Sequence, residues 1–102
     1  WSIPVAINQT GTVIPSSYSL GQNYPNPFNP TTNIKIQIPK GEYAKLVLYD
    51  VLGREAAILI DEYLNAGEYK IDFNASGLSS GVYYYELTSG NFRDVKKMML
   101  IK

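Results

Sequence analysis

Few side chains in this sequence have the types and spacing that catalysis requires. Asp61 and Glu62 are neighbouring acids in what we interpret as a loop, where such carboxylates are usually solvated rather than paired for acid–base catalysis. Ser79 and Ser80 offer hydroxyl groups, but the chain has no histidine to activate one as a nucleophile. The chain also has no cysteine, which excludes thiolate catalysis, disulfides and cysteine-based zinc sites. We therefore expect no enzymatic activity.

Two groups of residues have side chains suited to binding instead. Successive side chains of a strand point to opposite faces, so at least one ring of Tyr83-Tyr84-Tyr85 is expected to face outward, where tyrosine can stack on a sugar. The run Asn23-Tyr24-Pro25-Asn26-Pro27-Phe28-Asn29-Pro30 carries amide oxygens that can ligate calcium, but it has no carboxylate nearby and the chain lacks a calcium-loop motif. The charge pattern does not favour nucleic-acid binding. Nine basic residues balance nine acidic ones, and no stretch is dense enough in lysine and arginine to neutralise several phosphates. We expect no metal, no cofactor and no nucleic-acid partner.

The proline-asparagine block, residues 23–30, is expected to be a structural lead-in to the fold. Each proline fixes its own φ angle and restricts the residue before it, so ordering this segment costs less entropy than ordering an ordinary loop. Its two rings, Tyr24 and Phe28, are expected to pin it to a sheet.

From residue 33 onward the sequence consists of short β-prone runs separated by turn residues. Residues 33–38 alternate isoleucine with polar residues, which predicts a strand with one buried face. Residues 69–73 alternate in the same way, residues 43–51 form a further predicted strand, and Ser89-Gly90-Asn91 predicts a hairpin between residues 82–88 and 92–101. The predicted core residues are Ile34, Ile36, Ile38, Leu46, Leu48, Tyr69, Ile71 and Phe73.

Residues 54–60 carry the least decisive pattern. Their Glu-Ala-Ala-Ile-Leu composition also suits a helix. Every neighbouring segment is strand-like, however, and a lone helix would need an apolar partner of its own. We therefore predict a strand here.

The number of predicted strands indicates the fold class. Six strands are visible and a seventh is expected upstream, which predicts an all-β fold, an immunoglobulin-like antiparallel β-sandwich of about seven strands. Residues 1–15 differ in character, because Pro4 and Pro15 cannot donate to a ladder of hydrogen bonds. This segment is either a linker, the end of an upstream region, or an edge strand. We place the domain at residues 16–102.

The motifs follow one another in an order that resembles the C-terminal sorting domain of proteins exported by the type IX secretion system of Bacteroidetes and related bacteria. The resemblance begins at Tyr18-Ser19-Leu20 and runs through Gln22 and the proline-asparagine block to Thr32. It continues with Tyr49-Asp50 and Gly53-Arg54, which match the family's Tyr-Asp-x-x-Gly-Arg turn, and with Ser80-Gly81-Val82-Tyr83 and Lys97-Met98. Ala56-Ala57 departs from the family pattern, because larger aliphatic residues are more usual in that strand.

The resemblance implies a non-catalytic address at the end of a larger precursor. In such proteins the outer-membrane export machinery reads the domain and carries the upstream cargo through the periplasm and the outer membrane to the cell surface or the medium. A sorting peptidase usually removes the domain afterwards. The motif residues Asn23, Tyr24, Pro25, Asn26, Pro27, Phe28, Asn29, Pro30, Tyr49, Asp50, Gly53, Arg54, Ser80, Gly81, Val82 and Tyr83 are expected to be structural.

Recognition by the machinery is expected in the last two strands, because an address tested at the end of the chain should be available there. A partner can pair with an exposed strand edge there or read the projecting Lys96, Lys97 and Lys102. The expected recognition residues are Val95, Lys96, Lys97, Met98, Met99, Leu100, Ile101 and Lys102. The lysines also have a structural interpretation, since they discourage aggregation of an edge strand.

Two other functions stay open at this point. A carbohydrate-binding or adhesive sandwich appended to a secreted enzyme would use outward tyrosines to bind a polysaccharide. An assembly module similar to the immunoglobulin-like domain of flagellar hook-capping proteins would share related motifs. The fold alone does not separate these functions from sorting.

Overall fold

The computed structural model describes residues 3–11 and 13–102 and arranges them in eight strands. The strands are β1 (Val5–Gln9), β2 (Ser19–Leu20), β3 (Thr31–Ile38), β4 (Glu42–Tyr49), β5 (Glu55–Leu64), β6 (Gly67–Asn74), β7 (Gly81–Ser89) and β8 (Phe92–Leu100). They form two antiparallel four-stranded sheets, in the orders β1-β6-β3-β2 and β5-β4-β7-β8. The predicted all-β sandwich is confirmed, and its immunoglobulin-like character remains a prediction. None of the described residues belongs to a helix with the length and hydrophobicity that crossing a bilayer requires.

The two sheets enclose one apolar core, and the alternating strands β3 and β6 supply its centre. They pair antiparallel, with Ile34 opposite Ile71 and Ile36 opposite Tyr69. Because alternate side chains of a strand share one face, this register lines the isoleucines of β3 along the interior. All eight predicted core residues are buried, so the core prediction is confirmed.

β5 confirms the strand predicted after residue 54 but is longer than expected. It pairs with β4 from end to end, so the prediction that Asp61 and Glu62 lie in a loop is wrong. Both acids are exposed on this edge strand, and Asp61 lies opposite Lys45. A register shift leaves Leu59 without a partner on β4, and the bulge buries both Leu59 and Ile60.

β1 lies at the edge of the first sheet and pairs with β6 over five residues. Ile3 is buried, and Val5 and Ile7 pack against the core. Pro4 cannot donate, but its carbonyl oxygen accepts a hydrogen bond from Asn74 N at 3.1 Å. The upstream segment therefore contains an edge strand, one of the alternatives that its sequence left open. The domain boundary at residue 16 remains a prediction.

A tyrosine fixes the corner between β6 and β7. The Tyr83 ring is buried, and its hydroxyl donates to the Ser79 carbonyl oxygen, four residues earlier, at 2.6 Å. Immunoglobulin-like sandwiches have a contact of this kind, the tyrosine corner, near the start of a strand. The contact supports the immunoglobulin-like assignment.

Candidate recognition site

Most of the sequence motifs lie together at one end of the sandwich. β3 and β7 begin at this end, and β4, β6 and β8 end at it. The proline-asparagine block, the turn at residues 50–54, the loop at residues 75–80 and the C-terminal residues 101–102 are therefore all found there. A hydrogen bond from Ala75 N to the Pro30 carbonyl oxygen (2.9 Å) and a parallel bridge between Phe28 and Leu100 attach the block to both sheets. We call this region the motif end.

Hydrogen bonds attach the proline-asparagine block to the outer edge of β8. Phe28 N donates to the Met99 carbonyl oxygen at 3.0 Å, and Ile101 N donates to the Phe28 carbonyl oxygen at 2.9 Å. The Asn26 side chain adds a third bond, in which its Oδ1 accepts from Met99 N at 3.0 Å. A partner that paired with β8 at these residues would have to displace the block.

The residues before the block continue along β8 toward its start. Gln22 Nε2 donates to the Lys97 carbonyl oxygen at 2.7 Å. Further back, the Tyr18 ring stacks on Phe92 with the ring centroids 5.0 Å apart. Residues 18–28 therefore run beside β8 from its first residue to its last, and we call them the strap.

A buried polar network holds the strap in place. The Tyr85 hydroxyl donates to the Gly21 carbonyl oxygen and accepts from Asn23 N, both at 2.8 Å. Asn23 Nδ2 in turn donates to the Pro25 carbonyl oxygen and to Thr32 Oγ1, each at 3.1 Å. Burial raises the pKa of Tyr85 to about 12, which keeps the hydroxyl neutral and able to donate and accept at the same time.

Only one of the two rings of the block pins it to the core. Phe28 is buried and meets Phe73 edge to face with the ring centroids 6.0 Å apart, which confirms that prediction. The same prediction for Tyr24 is wrong, because its side chain is 76% exposed. The main chain of Tyr24 makes the attachment instead, through two hydrogen bonds with Asn33 of 2.9 and 3.0 Å. Its side chain is left free to point into solvent.

The amide groups of the block serve the fold. Asn23 is buried in the polar network, and Asn26 binds the main chain of β8. In residues 3–11 and 13–102, no three acidic side chains are grouped so that they could hold a metal ion. These contacts account for Asn23 and Asn26 without a ligand.

The turn at residues 50–54 is held by its own aspartate. Asp50 Oδ1 accepts from Leu52 N at 2.9 Å and from Arg54 N at 3.0 Å, and Asp50 Oδ2 pairs with Arg54 Nε at 2.9 Å. These contacts, led by the main-chain N–H of Arg54, lower the pKa of Asp50. Gly53 adopts a left-handed φ of 81°, which favours glycine. The spacing of the motif is therefore explained by the geometry of the turn.

The C-terminal lysine is held against the loop that precedes β7. Lys102 N donates to Ser80 Oγ at 3.0 Å, and Lys102 Nζ donates to the Ser76 carbonyl oxygen at 2.6 Å. The tyrosine corner of Tyr83 fixes the same loop. The end of the chain therefore has a defined position at the motif end.

The last strand exposes only part of the expected recognition set. Met98 and Leu100 are buried in the core, and Lys96 lies half-buried on the same face of the strand. The exposed members are Val95, Lys97, Met99, Ile101 and Lys102. A partner that reads side chains therefore meets two lysines around apolar residues, and Lys96 is the least accessible of the three lysines.

Two pairs of opposed tyrosines face outward on the second sheet, Tyr43 with Tyr63 and Tyr49 with Tyr84. Tyr84 is the outward ring that the alternation predicted, and Tyr49 lies opposite it on β4. A shallow groove of about 360 Å³ is lined by both rings and by the ion pair of Glu86 with Arg93. The outward orientation of Tyr49 was not predicted from the sequence. The alternation on β4 indicates it, because Leu46 and Leu48 face the core and Tyr49 follows Leu48.

Comparison with known families shows to which family this chain belongs. A model of the secretion system C-terminal sorting domain matches residues 22–102, from the strap to the last residue. Searches of curated proteins and of solved structures gave no significant match. Domains of this family are the sorting signals of type IX secretion, and they imply a cargo precursor, the secretion machinery and export through the outer membrane to the cell surface or the extracellular space. This chain belongs to the type IX secretion C-terminal sorting domain family.

Proposed function

We propose that this domain is a non-catalytic address that the export machinery reads through the exposed side chains at the end of β8. The observation that carries the proposal is the family match, which reaches residue 102 and so includes this strand. The side chains proposed to make contact are Val95, Lys97, Met99, Ile101 and Lys102. Met98 and Leu100 face the other way and are buried in the core, and Lys96 lies half-buried on that same face.

Side-chain recognition is favoured over strand pairing at this end of β8. The main-chain groups of Met99 and the Ile101 amide already bind the strap. Lys97 shares the outward face of β8 with the apolar Met99, and Lys102 follows Ile101 with its ammonium group on the Ser76 carbonyl oxygen. Such a surface fits an apolar patch with acidic residues at its rim, because opposite charges select the partner and orient it.

A sorting peptidase that removes the domain needs an accessible stretch of main chain. Residues 13–17 connect β1 to the strap and are largely exposed, with Val13 71% and Ile14 60% exposed. Exposed connections of this kind are preferred sites of proteolysis. We place the cut in this stretch, which leaves β1 with the cargo and releases the strap and the family-matched residues 22–102 in one piece.

Export of a reporter tests this function. The chain is fused behind a signal peptide and a reporter in a host with a type IX system, and the reporter is expected at the cell surface or in the medium. Deleting residues 97–102 is expected to leave it in the periplasm. The double variant Lys97→Glu and Lys102→Glu keeps the main chain and is expected to lower export several-fold, because it reverses the charge that the partner meets.

Two controls make the export result decisive. Lys35→Glu reverses an exposed charge on the other sheet and is expected to leave export unchanged. Each purified variant is also melted, so that only variants as stable as the parent are compared. The proposal is wrong if the deleted fusion reaches the surface as efficiently as the parent, and if a host without the machinery gives the same distribution.

A further inference from the structure

We propose that the address is a composite surface, made by the strap and the end of β8 together, with Tyr85 as the positioning residue that holds the two in register. This inference rests on the proposed function and names the part of the molecule that the machinery reads. Its consequence is that the signal exists only in the folded domain. A C-terminal tail with the right sequence but a detached strap would not be read.

The contacts across the motif end place the two segments side by side. Asn26 and Phe28 both bind Met99, and Phe28 also binds Ile101. Pro27, which lies between Asn26 and Phe28, is exposed, and so are the side chains of Met99 and Ile101 (39% and 49%). Residues more than 70 positions apart in the chain therefore share one apolar patch.

Charged groups complete the patch on the β8 side. Lys97 is exposed on the same face of β8 as Met99, and its carbonyl oxygen accepts from the strap residue Gln22 at 2.7 Å. Lys102 lies just beyond Ile101 and is exposed. The composite surface therefore has an apolar centre contributed by both segments, and the exposed Lys97 and Lys102 lie next to its β8 residues in the chain. It fits a protein partner with an apolar contact patch flanked by carboxylates.

Tyr85 connects the strap to the centre of the second sheet. Its ring is fully buried on β7, the strand next to β8, and its hydroxyl binds the main chain of Gly21 and Asn23. Gln22 lies between these two residues and contacts Lys97. Without the hydroxyl, the Gly21 carbonyl and the Asn23 amide lose their common partner, and a buried polar group without a partner destabilises the arrangement.

Matched substitutions in the whole chain test this inference. Tyr85→Phe removes the strap contact, whereas Tyr69→Phe removes a similar bond, from its hydroxyl to the Asn65 carbonyl oxygen at 2.6 Å, at the other end of the sandwich. Asn26→Ala removes the bond to Met99 N, whereas Asn29→Ala changes an exposed asparagine of the same block. The measurements are amide hydrogen exchange at Met99 and Ile101 and export of the reporter fusion.

The two variants that weaken the strap and their two controls are expected to give different results. Tyr85→Phe and Asn26→Ala are expected to speed exchange at Met99 about tenfold or more and to lower export several-fold. Tyr69→Phe and Asn29→Ala are expected to leave both quantities unchanged. The tail sequence is identical in all four variants, so a loss of export confined to the first pair identifies the composite surface.

The outcomes also distinguish this inference from the function on which it rests. If the parent fusion is not exported through the machinery, the proposed function fails. If the parent is exported and the first pair is exported equally well despite faster exchange, the machinery reads the linear tail and the composite surface is wrong. If exchange at Met99 does not change in Asn26→Ala, the strap does not hold β8, and the inference is wrong for that reason.

Discussion

At the scale of single residues, buried tyrosines combine core packing with the positioning of loops. Tyr69, Tyr83 and Tyr85 are buried, and each hydroxyl donates to a main-chain carbonyl oxygen outside its own strand. A phenol buried in this way contributes a large apolar surface and still needs one polar partner. Burial is the largest cause that raises the pKa of each of the three. These side chains therefore tie the ends of the sandwich to its centre.

The raised pKa of Tyr85 predicts a loss of stability at high pH. Its pKa is about 12 in the folded domain and close to 10 when unfolded, so the folded state holds the proton more tightly. The contribution of this pKa shift to the free energy of unfolding is complete below about pH 10 and is lost between pH 10 and 12. In that interval the free energy of unfolding falls by up to about 1.4 kcal/mol for each pH unit. Urea unfolding of the parent and of Tyr85→Phe from pH 8 to 12 measures it. The parent's advantage is expected to shrink in that interval, and a constant difference would contradict the prediction.

At the scale of the elements, the alternation of apolar and polar residues predicted the strands in which this alternation is regular. The strands β3 and β6 carry a strict period of two, and their buried isoleucine and aromatic residues were predicted correctly. β5 was harder, because its bulge buries the consecutive Leu59 and Ile60 and so interrupts the alternation. Ala56 and Ala57, the departure from the family pattern, are partly buried and pack against the core.

The strap shows why part of the site was not predictable from the sequence. The sequence indicated a rigid lead-in at residues 23–30 but not its neighbour. The contact between Asn26 and Met99 joins two segments that are far apart in the chain. Neither segment has a local sequence pattern that predicts contact with the other. Tyr85 offered one indication, since its inward position implied a buried hydroxyl in need of a partner. That partner, the start of the strap, became known only from the fold.

The hairpin between β7 and β8 gives a test at this scale. Gly90 has a φ of 58°, and a Cβ added there would meet the carboxylate of Glu42, which accepts from the Tyr18 hydroxyl at 2.7 Å. Gly90→Ala therefore combines backbone strain of about 1–2 kcal/mol with displacement of Glu42, for a total loss of about 2–4 kcal/mol.

Gly53→Ala is the matched control for the hairpin. Gly53 also has a positive φ, of 81°, but a Cβ there would meet no atom within 4 Å. Only the strain of about 1–2 kcal/mol is expected for this variant. The free energy of unfolding in urea compares the two. Equal losses would mean that the Glu42 carboxylate moves aside without cost.

At the scale of the whole molecule, the sandwich protects most of its sheet edges. The strap covers β8, β2 is only two residues long, and two register shifts interrupt the pairing of β4 with β5. Coverage, short edge strands and bulges are the means by which sheet proteins avoid edge-to-edge aggregation. In the described part of the chain, no strand pairs with the outer side of β1. β1 is also the strand nearest to the upstream part of the chain.

The position of β1 allows the domain boundary to be tested by truncation. Removing residues 1–10 deletes a strand that pairs with β6 over five residues and takes away Ile3, Val5 and Ile7, which pack on the core. The truncated chain is expected to lose about 2 kcal/mol or more of unfolding free energy and to show a smaller urea m value, because it buries less apolar surface. Ala6→Ser, an exposed change in the same strand, is the control and is expected to have little effect. If the truncated chain keeps both the free energy and the m value of the parent, residues 1–15 act as a linker and the domain begins at residue 16.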